Sequence, residues 1–88
     1  MIPMSMEDAL KLITESKQFL EPYRAYGPMI TEGISQLEKL EKLVNEGKNV
    51  EGYNLICSMC EQISPYRGLV AELAVKLDQI KHILRKNA

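Results

Sequence analysis

The sequence has no tryptophan, one phenylalanine, one histidine and two cysteines among 88 residues. Two cysteines three residues apart, Cys57 and Cys60, are too few for a disulfide framework and fit a reducing compartment. A structural zinc site needs four ligands. One Cys-x-x-Cys and one distant histidine, His82, do not supply them within one chain. A pairing or zinc site across two copies stays open, but two cysteines at helical spacing first read as small core residues on one face. Thioredoxin-type redox chemistry requires a strand–helix–strand setting, and no strand pattern occurs. No Gly-x-Gly-x-x-Gly or Gly-x-x-x-x-Gly-Lys is present, so no phosphate-cradling loop is indicated. No apolar run approaches the length of a bilayer span. The opening Met1-Ile2-Pro3-Met4-Ser5 lacks the basic-then-apolar order of a signal peptide. A cytoplasmic protein without membrane contact is expected. Excess charge of one sign is also missing: the formal net charge is −1, which provides no overall attraction to nucleic acid.

What the sequence does contain is a repeat. Pro22-Tyr23-Arg24 recurs as Pro65-Tyr66-Arg67, forty-three residues later. At the same offset Leu12-Ile13 falls on Leu55-Ile56. Ile30, Ile34, Leu37 and Leu40 fall on Leu73, Leu77, Ile80 and Ile83. Helix–break–helix units over about 6–46 and 49–88 follow, within a single domain over 1–88.

Each unit carries helical signals. Ser5 and Asp8 resemble a capping box, and an apolar stripe of Met6, Ala9, Leu10, Ile13 and Leu20 runs to Pro22, with Leu12 and Phe19 widening it. A second helix is predicted from about Pro28 to Glu46, with Ile30, Ile34, Leu37, Leu40 and Val44 on one face. On its outer side Glu38 and Lys42 stand in ion-pair order. Gly47 suits a left-handed stop and Asn49 an N-cap. A third helix is predicted over about Val50–Ile63, with Tyr53, Ile56, Cys57, Cys60 and Ile63 aligned. Ser64-Pro65 then reads as N-cap and first residue of a fourth helix running to about Lys86. The expected fold is all-α, a small antiparallel four-helix bundle made of two helical hairpins. The alternative is two long kinked helices forming one hairpin.

No constellation suited to catalysis emerges. The carboxylates are scattered over polar faces, and none stands in the Glu-x-x-His pattern of di-metal bundles. His82 has no nucleophile at a telling spacing and suits a helix C-terminus. No enzyme activity and no cofactor are expected.

The functional candidates are surface features. Tyr23, Arg24, Tyr66 and Arg67 combine aromatic faces with planar cations, the residue types enriched at binding hot spots. They equally suit helix breaks in which each arginine caps neighbouring carbonyls. The seam of the fourth helix is Val70, Leu73, Leu77, Ile80 and Leu84, spaced alternately by three and four; Leu69, Val75 and Ile83 fall outside it and, with Lys76 and Arg67 nearby, would form an apolar patch with a basic rim. The sequence therefore indicates a non-catalytic protein-interaction module. It would be a small accessory subunit that binds and stabilises a larger protein, with a nucleic-acid-processing enzyme as the host class, or that pairs with a second copy. Nucleic acid would then be met only indirectly. The alternative is a small helical nucleic-acid-binding regulator using the Tyr-Arg pairs and the basic end Lys81–Lys86; direct phosphate contact would make its affinity fall steeply with salt.

Overall fold

Ser5 does what its position predicts. Its hydroxyl accepts from the Asp8 amide, and the Asp8 carboxylate accepts from the Ser5 amide at 2.8 Å, a reciprocal capping box. In the computed structural model, which describes residues 5–87, this cap opens α1 (Met6–Leu20). Pro22 has no amide with which to continue the helical hydrogen-bond ladder, although Glu21 before it keeps helical angles, φ −54° and ψ −45°. The chain tightens there into a six-residue 3-10 helix, Glu21–Tyr26. Gly27 has a φ of 149°, a conformation open to glycine, and its carbonyl accepts the Ile30 amide at 3.2 Å as α2 (Pro28–Asn45) begins.

The α2–α3 turn is a Schellman motif. Gly47 has a φ of 75°, its amide donates to the Val44 carbonyl, and the Lys48 amide donates to the Leu43 carbonyl at 2.9 Å. Such paired bonds satisfy carbonyls that a helix end would leave open. Helix α3 (Asn49–Ile63) follows at once. Asn49 is its first residue, not its cap: the side-chain amide donates 3.0 Å across the bundle to the Asn87 carbonyl at the end of α4.

The predicted start of the fourth helix is corrected. Ser64-Pro65-Tyr66 forms a short 3-10 turn with no side-chain cap, and α4 spans only Ala71–Asn87. The seven residues between α3 and α4 make a true reversal, because the two helices pack against each other. This excludes a kink inside one long helix. The Glu38–Lys42 ion pair is absent among the described residues; Lys17 instead reaches Glu41 across α1 and α2 at 3.2 Å.

Neighbours pack in a closed ring, α1 on α2, α2 on α3, α3 on α4 and α4 on α1. The result is an all-α four-helix bundle with no strand among the described residues. Its core includes Ile13, Leu37, Leu40, Ile56, Leu77, Ile80, Ile83 and Leu84, all essentially inaccessible. Ser16 is buried too, and its hydroxyl is satisfied by the Leu12 carbonyl at 2.8 Å. The bounds of α1 shifted by forty-three residues are those of α3, and Pro28 shifted equally is Ala71, the first residue of α4.

Gly52 is buried where α3 meets α2 and α4. A methyl group added there would sit 3.6 Å from Leu40 and Leu84, ordinary contact distance. Removing a mid-helix glycine gains about 1 kcal/mol of helix propensity. Gly52→Ala should therefore raise the unfolding free energy by about 0.5–1 kcal/mol in a urea titration. Ile80→Ala should lower it by about 2–5 kcal/mol, since it empties a fully buried site.

Candidate functional site: an apolar groove at the break end

Both Pro-Tyr-Arg breaks lie at the same end of the bundle, because each joins an upward helix to a downward one. At that end the core does not close. A groove of about 620 Å³ runs between the first half of α2 and the segment from the end of α3 to the start of α4. Its walls include Leu20, Ile30, Leu37, Met59, Ile63, Val70, Leu73 and Leu77, residues of the core's own stripes. Its lip carries apolar side chains that remain in solvent: Leu69 is 85% exposed, Met29 62% and Tyr66 43%. Gln36, Gln62 and Glu32 are its polar members.

The two breaks carry different side chains. At the forty-three-residue offset, Phe19, Tyr23 and Tyr26 correspond to Gln62, Tyr66 and Leu69. In the first break the three aromatics form a chain, with ring centroids 6.1 Å apart for Phe19–Tyr23 and 5.7 Å for Tyr23–Tyr26. Phe19 packs onto the core. In the second break an amide and a leucine stand where two rings would be.

Of the residues singled out from sequence, the groove unites two, Tyr66 and Leu69. Tyr23 lies in the aromatic chain of the other break. Arg24 forms a two-bond pair with Glu21, 3.0 Å for each contact, whose hydrogen bonding holds the Glu21 carboxyl below its usual range. Arg67 pairs with Asp78 on α4. The expectation that these arginines cap helix carbonyls is thus corrected: both are engaged by carboxylates.

The patch predicted on α4 does not form. Ile83 is 1% exposed and belongs to the core. Helix α4 packs against both α1 and α3, so its buried sector is wider than one seam and takes in Ala74 and Ile83. Val75 does stand in solvent, but outside the groove lining. Its intended basic rim is neutralised, with Lys76 3.8 Å from Glu15 and Arg67 on Asp78. Sequence reasoning missed Met29, Gly33, Gln36 and Gln62. The mismatch of Phe19 with Gln62 within the repeat was the available signal.

The cysteines sit beside this end on α3. Cys57 is partly exposed and Cys60 is buried, and both are free thiols. The Cys60 thiol lies 3.8 Å from Asp78, the carboxylate that also holds Arg67. Burial, followed by the Asp78 charge, pushes this thiol up to about 11. No cluster of three or more metal-ligating side chains is found among the described residues, and no described helix is long and apolar enough to cross a membrane. Comparison with protein-family models, curated proteins and solved structures finds no match.

A thiol protonated and buried near neutrality is a poor nucleophile. Iodoacetamide at pH 8 should alkylate Cys57 well before Cys60 in the native protein, as read by peptide mass spectrometry. Because the folded thiol holds its proton more tightly than the unfolded one, its contribution to stability is complete below the unfolded thiol range, about 8.5. That contribution disappears as pH rises through about 11. The loss of urea resistance between pH 8 and pH 11 should therefore be smaller in Cys60→Ala than in the parent.

Proposed function

We propose that this protein is a non-catalytic protein-interaction module, a small accessory subunit that docks on a larger protein through the groove at its break end. The observation that carries this reading is apolar surface continuous from core to solvent. Leu69, Met29 and Tyr66 form the lip of a cleft whose floor is the bundle core itself. Isolated exposed apolar residues are ordinary on a protein surface, whereas contiguous ones rimmed by polar groups mark binding sites. Here the rim is Glu32, Gln36 and Gln62. Methionine at such a surface adapts its shape to a partner, and Met29 and Met59 both face the cleft. A chain of 88 residues buries a modest fraction of its surface, and a partner bound only to the folded form adds stability by mass action. A nucleic-acid-processing enzyme remains the host class proposed from the sequence.

The reading is tested by placing a benzophenone side chain at position 69, and separately at position 75, in cells of the source organism. Irradiation should yield a discrete covalent adduct with another protein from position 69 and none from position 75. The adduct should fall at least tenfold when Met29→Asp is added, while the thermal midpoint of the purified variant stays unchanged. Absence of an adduct at position 69, or equal adducts at both positions, would overturn the proposed role.

A further inference from the structure

We draw no further inference here: the strongest candidate, the apolar groove between the first half of α2 and the segment from the end of α3 to the start of α4, carries nothing beyond the docking role proposed above, because nothing in the structure shows what covers it.

Discussion

The layout of this molecule depends on proline's missing amide. Proline in a helix interior removes a hydrogen bond and crowds the preceding turn, at a cost of about 3 kcal/mol. Pro22 and Pro65 therefore end α1 and α3, and Pro28 is placed where a helix tolerates it, at the first position of α2. Both prolines that terminate helices fall at the same end of the bundle. The opposite end is joined by one short turn and tied by Asn49 to Asn87. One end is consequently tight, and the other must be closed by whatever side chains the breaks provide.

Those two closures differ. The first break extends through six residues of 3-10 helix and supplies Tyr23 and Tyr26 beside Phe19. The second has three such residues and supplies Tyr66 and Leu69 beside Gln62. Arg67 further anchors this break to Asp78, and Asp78 lies beside the buried Cys60 thiol. The segment around the groove is thus held by a charge pair backed by α3 and α4, while its apolar lip stays in solvent.

The contrast between Leu69 and Ile83 shows how packing, more than residue type, decides which apolar side chains stay in solvent. Both lie off the seam expected for the fourth helix. Ile83 points toward a neighbouring helix and vanishes into the core, whereas Leu69 precedes the helix and has nothing packed outside it. Val75 is exposed without neighbours of its kind, and its nearby cations are already engaged.

Local chemistry determined much of this protein from sequence alone. The Ser5–Asp8 box, the glycine stop at Gly47, the proline breaks and the stripes of Ile13, Ile34, Leu37, Ile56, Leu77 and Ile80 depend on residues within one or two turns. Spacing reveals such features directly. Three matters were decided by tertiary structure. The start of α4 moved to Ala71 because the chain must reverse before α4 can pack on α3. Ile83 became core because α4 has two packed neighbours, and a single-helix stripe records only one direction of burial. The groove depends on how α2, the end of α3 and the start of α4 are placed around it, with Leu69, Met29 and Tyr66 left in solvent, a relation between segments that no periodicity within one helix encodes.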